Sequence, residues 1–244
     1  MSGDDFFIGW SAETPRADRR FLLGASIGLI AGAGALGGAI ALSRPPVGDG
    51  VWDMGTVATL RGQLLKHPYP LLRTRNEDGA ARTVFLASDG KVRLDLDEAP
   101  VGESVAATGT LITRGKNAMM AVTNIVREAS APPTSAIVSQ PRSVLLAGEI
   151  LDAKCWFGAM RPGFGKTHKA CAALCARGGL PLAFCETGAC GTSENAPLFL
   201  DQNGEAFGPE ILALVADPVI VQGTLGHVDD VVQLRVALGD IHRV

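Results

Sequence analysis

The sequence predicts a mainly β protein: an N-terminal transmembrane helix, then two small β-barrels built to one plan, the second interrupted by a short helical insertion rich in cysteine and histidine. Three observations predict it. Residues 21–42 form a long run without charge. The remainder divides at Pro-rich stretches into two blocks with matching strand patterns. All five cysteines fall in or beside the one place where the second block is longer than the first. Composition agrees: 244 residues, 47% apolar and 19% charged, fit a globular chain rather than a disordered one. A net charge of −3 and only 5% aromatic residues exclude a nucleic-acid binder, which needs clustered positive charge and stacking rings.

The run from Phe21 to Leu42 rises ~33 Å as a helix, enough to cross a ~30 Å hydrocarbon core. Arg16, Arg19 and Arg20 precede it, and only Arg44 lies just after. This bias keeps residues 1–20 in the cytoplasm and sends the C-terminal bulk across, with 21–43 as the transmembrane helix or signal anchor. Ala39-Ile40-Ala41 offers a small-x-small cleavage site, but the run is longer than a signal-peptide core, so a retained anchor is expected. Gly28/Gly32 and Gly34/Gly38 are small-xxx-small pairs; low hydrophobicity suited to export accounts for them equally well. Phe6, Phe7, Ile8 and Trp10 read as a short surface segment on the cytoplasmic side.

Asp18-Arg19-Arg20-Phe21-Leu22-Leu23 resembles the twin-arginine export motif, with Arg19 and Arg20 as its signature pair. The start is similar to that of bacterial Rieske iron–sulfur subunits, which keep it as an anchor. The resemblance implies a single-pass protein of the bacterial inner membrane, exported already folded, with its C-terminal domains in the periplasm.

The blocks span 51–128 and 137–244. Val57 to Leu65 parallels Ser143 to Leu151, each around a central glycine, Gly62 or Gly148. Gly109-Thr110-Leu111 matches Gly223-Thr224-Leu225. Both pieces read as strands bent around a glycine. In the second block strands are expected near 144–154, 180–185, 196–201, 219–228 and 231–236 (continuing to 241), with a short helix at 209–216 opened by Pro209. Three strands, a helix and two strands resemble the OB-fold, a five-stranded Greek-key barrel. The first block fits with strands near 56–66, 82–87, 91–96, 104–113 and 118–126.

Gly62 and Gly109 are 47 residues apart, Gly148 and Gly223 are 75 apart, and the excess is the insertion at about 154–182. A Gly/Pro-rich loop leads to Thr167, expected to cap a helix running through Cys175 and ended by Gly178-Gly179. His168, Cys171 and Cys175 then fall on one helical face, with Cys155 at the end of the block's first strand able to close on them. Such a set suits zinc, copper(I) or an iron–sulfur cluster. Along a regular helix His168 and Cys175 stand ~10.5 Å apart in rise, so a single ion is easier to bind if the helix begins near Ala170 and His168 lies in the loop. The tighter chelates are Cys171 with Cys175 and His168 with Cys171, each joined by Cys155.

Two other readings stand beside the metal. In an oxidising compartment Cys185 and Cys190 are expected to bridge as a separate loop disulfide, compatible with the metal set, and in the disulfide reading Cys155 pairs with Cys171 or Cys175 as well. An odd fifth thiol leaves room for redox exchange. Covalent c-type haem is not expected, because Cys-x-x-Cys-His is absent, as is the Rieske ligand pattern. Residues 148–181 resemble an uncharacterised bacterial envelope family running Gly-Glu-Ile, Lys-Cys, Met-x-Pro-Gly, His-x-x-Cys, Cys, Gly-Gly-x-Pro. His67-Pro68-Tyr69 reads as a strand-end turn, and His227 and His242 as solvated strand positions.

No nucleophile elbow, P-loop, dinucleotide fingerprint or His-Glu-x-x-His is present, so no enzyme class is indicated. The expectation is an anchored metal- or redox-cofactor-binding accessory subunit, its partner a larger electron-transfer or oxidase complex in the membrane. The alternative is a structural or assembly subunit whose barrels are disulfide-stabilised binding surfaces.

Overall fold

The structure is a computed structural model and describes residues 14–44, 46, 48–76, 79–129 and 136–244. The aromatic segment at Phe6–Trp10 and most of the Pro-rich linker between the blocks lie outside the described residues. The chain forms two compact units, 1–45 and 46–244.

In the first unit, α1 spans Arg16–Leu42, opening directly after Pro15. It is long and apolar enough to cross a membrane. None of its residues is buried, and Phe21, Leu29 and Ile30 are all more than 70% exposed. From Phe21 to Leu42 the helix carries no charged residue on any side, the composition that a membrane span requires. The helix begins before the apolar run, so Arg16, Arg19 and Arg20 stand within its first turns.

The second unit holds two closed five-stranded barrels. The first is built from β1 (Val51–Leu65), β2 (Leu71–Arg75), β3 (Ala81–Ala87), β4 (Ser104–Arg114) and β5 (Asn117–Arg127), closing in the order β1-β2-β3-β5-β4. The second is built from β6 (Arg142–Asp152), β7 (Leu182–Glu186), β8 (Leu198–Asp201), β9 (Pro218–Val228) and β10 (Val231–Arg243), in the equivalent order β6-β7-β8-β10-β9. In each barrel the third and fifth strands pair in parallel and the other pairs are antiparallel. This is the Greek-key plan of the OB-fold. The glycines that mark the repeat are equivalent in space. A Cβ on Gly62 would strike the Arg73 carbonyl, and one on Gly148 the Cys185 carbonyl, each on the neighbouring strand. Only a residue without a side chain lets a barrel corner close that tightly.

Three expected elements differ. The first barrel's second strand is 71–75, not 82–87, which is instead the third. Residues 91–96 are not a strand and make only one bridge, Arg93 to Ala87. Their alternating Val92, Leu94 and Leu96 mimic a strand, but Leu96 is buried in the barrel's core and Val92 is 54% exposed. Residues 209–213 form a short 3-10 turn rather than a helix to 216.

Strand periodicity explains how the barrels join. In β3, Val84 and Leu86 enter the first barrel, while Phe85 and Ala87 point the other way. In β7, Leu182 and Phe184 fill the second barrel, while Ala183 and Cys185 face outward. The outward residues meet in a third core: Tyr69, Phe85, Ile112 and Met119 from the first barrel, against Leu151, Trp156, Phe157, Leu180 and Leu198 from the second. Arg114, 3% exposed, crosses this seam. It donates to the carbonyls of Ser193 (3.0 Å), Trp156 (3.1 Å) and Cys190 (2.8 Å) and lies 3.9 Å above the Trp156 ring. Burial lowers its pKa, with Asp49 opposing. At the far side Arg73 pairs with Asp229 at 2.8 Å.

Tyr69, the single tyrosine, is buried in the seam. Burial pushes its pKa from 10.0 to about 12, against the pull of a backbone hydrogen bond from Leu182. The folded pKa is the higher one, so the stability from the neutral phenol is complete below pH 10 and is lost as pH climbs toward 12. Ultraviolet titration of the folded protein should show phenolate only near the upper value, and urea-unfolded protein near the lower. Tyr69→Phe should remove this component of alkaline destabilisation.

Candidate metal centre

The insertion leaves the second barrel at the end of β6, and its geometry is set by Asp152. This carboxylate is fully buried. Its Oδ1 accepts the Cys155 backbone N–H at 2.8 Å, which folds the chain into a tight turn over Cys155–Ala159. A loop then returns through Gly165, whose N–H donates to Glu149 at 2.8 Å. Burial raises the Glu149 pKa, with the Gly165 hydrogen bond opposing.

A 3-10 turn at Lys166–His168 leads into α2, Lys169–Arg177. The helix start carries no side-chain cap among the described residues; Thr167 lies exposed within the preceding turn rather than at the cap. His168 therefore precedes the helix, the arrangement that brings it closest to Cys171. Gly178 ends the helix, and Gly179 takes φ 77°, a left-handed conformation that suits glycine.

His168 and Asp152 are in contact, Nε2 to Oδ2 at 2.7 Å, with both side chains 0% exposed. The other ring nitrogen, Nδ1, is buried and has no hydrogen-bond partner among the described residues. An imidazole that donates Nε2–H to a carboxylate presents a basic lone pair on Nδ1, the arrangement that metal-ligating histidines adopt. Close to the ring, Cys155 Sγ stands 3.7 Å from Cys171 Sγ. That is far longer than a disulfide, and it matches the ~3.8 Å edge of a tetrahedron with ~2.3 Å metal–sulfur bonds.

The donor atoms of Cys155, His168 and Cys171 all lie within 4.8 Å of one another, as do those of Asp152, Cys155 and Cys175. Either group can hold a metal ion. Cys155 belongs to both, whereas sequence spacing alone puts Cys171 in both chelates. Cys155 and Cys175 are buried and Cys171 is half-buried. A hydrogen bond to Cys175, burial and the Asp152 charge together push the Cys155 thiol far above its usual range. Three sulfurs and a carboxylate packed together resist negative charge, and a cation relieves that conflict.

No protein family, curated protein or solved structure matches the chain. Its chemistry is therefore read from these residues.

Cys185 and Cys190 stand apart from this cluster as a disulfide. The remaining expected sites are also placed. His67 sits in the exposed turn before β2, 3.3 Å from Glu205, and His227 and His242 are exposed on β9 and β10. Two participants escape sequence reading. Asp152 carries a weak signal: a ligating histidine needs an acceptor for its second nitrogen, and Asp152 lies three residues before Cys155. Lys91, whose Nζ lies 2.6 Å from Cys171 Sγ, belongs to the other barrel and carries none.

The separation of the disulfide from the cluster has a measurable consequence. Cys185→Ser or Cys190→Ser should cost roughly 2–3 kcal/mol of stability, the value of a short cross-link. Metal content by elemental analysis should not change in either variant.

Proposed function

We propose that this protein is a membrane-anchored accessory subunit whose second barrel binds one metal ion through Cys155, His168 and Cys171, with Cys175, which is grouped with Cys155 and Asp152, drawn in as the fourth donor on binding. The observation that carries the reading is the buried His168 ring, held at Nε2 by Asp152, unpartnered at Nδ1 among the described residues, and grouped with the thiols of Cys155 and Cys171. Zinc fits best: three thiolates and an imidazole are a closed, tetrahedral donor set, and a closed set binds for structure or storage rather than for catalysis. Three free thiols are one short of the four cysteines that iron–sulfur clusters generally take, which favours a single ion over a cluster. When bound, the ion supplies a cross-link between the end of β6 and α2. Asp152 orients His168 and positions the Cys155 backbone.

Purified protein should contain one zinc ion per chain. Cys155→Ser should abolish binding, because Cys155 belongs to both donor groups. A folded, metal-free preparation whose mass shifts on reduction by two disulfides would instead support the assembly-subunit reading, in which Cys155 pairs with Cys171 or Cys175.

The anchor supports a place in the bacterial inner membrane, with export by the twin-arginine route. The support is the exposed 27-residue helix and the Arg19-Arg20 pair at its start. Replacing both arginines with lysine keeps the charge and removes the motif. The variant should remain in the cytoplasm on cell fractionation; normal insertion would defeat the export reading. A larger electron-transfer or oxidase complex is the partner we assign to such a subunit, and co-purification from membranes in mild detergent tests it.

A further inference from the structure

We propose that Lys91, supplied by the first barrel, is an outer-sphere residue of the Cys/His site that donates to the Cys171 thiolate in the metal-loaded protein and slows the ion's exit. This rests on the metal-binding reading above.

The first observation is contact. Lys91 Nζ is 2.6 Å from Cys171 Sγ and 3.9 Å from Cys175 Sγ. Cys171 is the half-buried donor of the three thiols, and Lys91 itself is exposed. The ammonium therefore covers the solvent-facing side of the cluster, where an ion or a competing chelator would pass.

The second observation is that this position is built rather than incidental. Lys91 lies on a strap, residues 88–93, fixed on both sides by residues next to the thiol donors. Lys154, adjacent to Cys155, is 3% exposed and caps three successive strap carbonyls: Ser88 and Asp89 at 2.7 Å and Gly90 at 2.8 Å. On the other side Gly178, three residues after Cys175, accepts the Arg93 N–H at 2.8 Å. Any side chain at Gly178 would collide with the Lys91 carbonyl. The strap is thereby tied to both ends of the cluster, and Lys91 follows wherever Cys155 and Cys175 are placed.

The third argument is charge. A divalent ion with three thiolates and a neutral imidazole carries a net −1. One ammonium at hydrogen-bond distance offsets it, whereas a monovalent ion on the same ligands would leave the assembly negative. Donation to a metal-bound thiolate stabilises it against the protonation that releases the ion, which favours retention, and it lowers the energy of the sulfur lone pair, which shifts the sulfur-to-metal charge-transfer band to higher energy.

The test uses the full chain in detergent, loaded with cobalt(II) for spectra and zinc for exchange, in wild type, Lys91→Met, Lys91→Arg and, as a surface control, Lys66→Met. In Lys91→Met the sulfur-to-cobalt band should move to lower energy, and zinc transfer to a chromophoric chelator should be roughly tenfold faster, the lower end of outer-shell effects on metal affinity because Lys91 is exposed. Lys91→Arg should restore both, and Lys66→Met should match wild type. Lys91→Met that binds metal with an unchanged band and exchange rate would overturn this proposal and leave the metal site standing. An equal drop in melting temperature for metal-free and loaded Lys91→Met would overturn it too, since that would show packing alone. Failure of wild type to take up either ion would overturn the metal reading itself, and this proposal with it.

Discussion

A strand whose two faces are both apolar must find an apolar neighbour on each. That constraint organises residues 46–244. β3, β5, β6, β7 and β8 fill a barrel with one face and the seam with the other. Their sequences accordingly read as continuous apolar runs rather than the alternation of a half-solvated sheet. Neither barrel closes off its own outer face. Trp156 and Phe157 of the insertion fill the gap between them, and Arg114 satisfies the carbonyl of Trp156 together with those of Cys190 and Ser193 in the β7–β8 connection. The insertion is thus as much a filler of the seam as an appendage of the second barrel.

Within that dry seam, polar groups are held to strict pairing. Asp152 meets the demand with a backbone N–H and a histidine, Lys154 with three carbonyls. His168 Nδ1 is one of three buried side-chain atoms without a hydrogen-bond partner among the described residues, and its ring is grouped with Cys155 and Cys171. An unpaired imidazole nitrogen on a ring grouped with soft donors is a physical reason for a cation there, independent of any likeness to another protein.

The barrel plan was legible because its cues are local. Gly62 and Gly148 recur in the same apolar setting, and a close approach to a neighbouring strand tolerates little else. The cysteine–histidine cluster was legible for the same reason, since His168, Cys171 and Cys175 lie within one short segment. What was lost depends on distant partners. β2, Leu71-Leu72-Arg73-Thr74-Arg75, looks too polar for a barrel strand until Asp229 of the other barrel meets Arg73. Residues 91–96 alternate like a strand, yet 91–93 belong to the strap, because Gly178 just after α2 offers a carbonyl that no local pattern reveals. Thr167 reads as a cap, but the turn before α2 already supplies the approach. Lys91 and Cys171 are 80 residues apart and meet only once the two barrels pack.

The shared core bears on how the chain can be divided. The linker around 130–135 looks like the natural place to cut, since each barrel closes its own ring of hydrogen bonds. A first barrel made alone would nevertheless leave Phe85, Ile112 and Met119 facing water, and a second barrel made alone would strand Leu151, Trp156 and Phe157. During synthesis the same surface stays uncovered until β6 through β8 have emerged, because the contacts that cover it join distant parts of the sequence. The two rings are separable on paper and interdependent in solution: topologically two barrels, thermodynamically one.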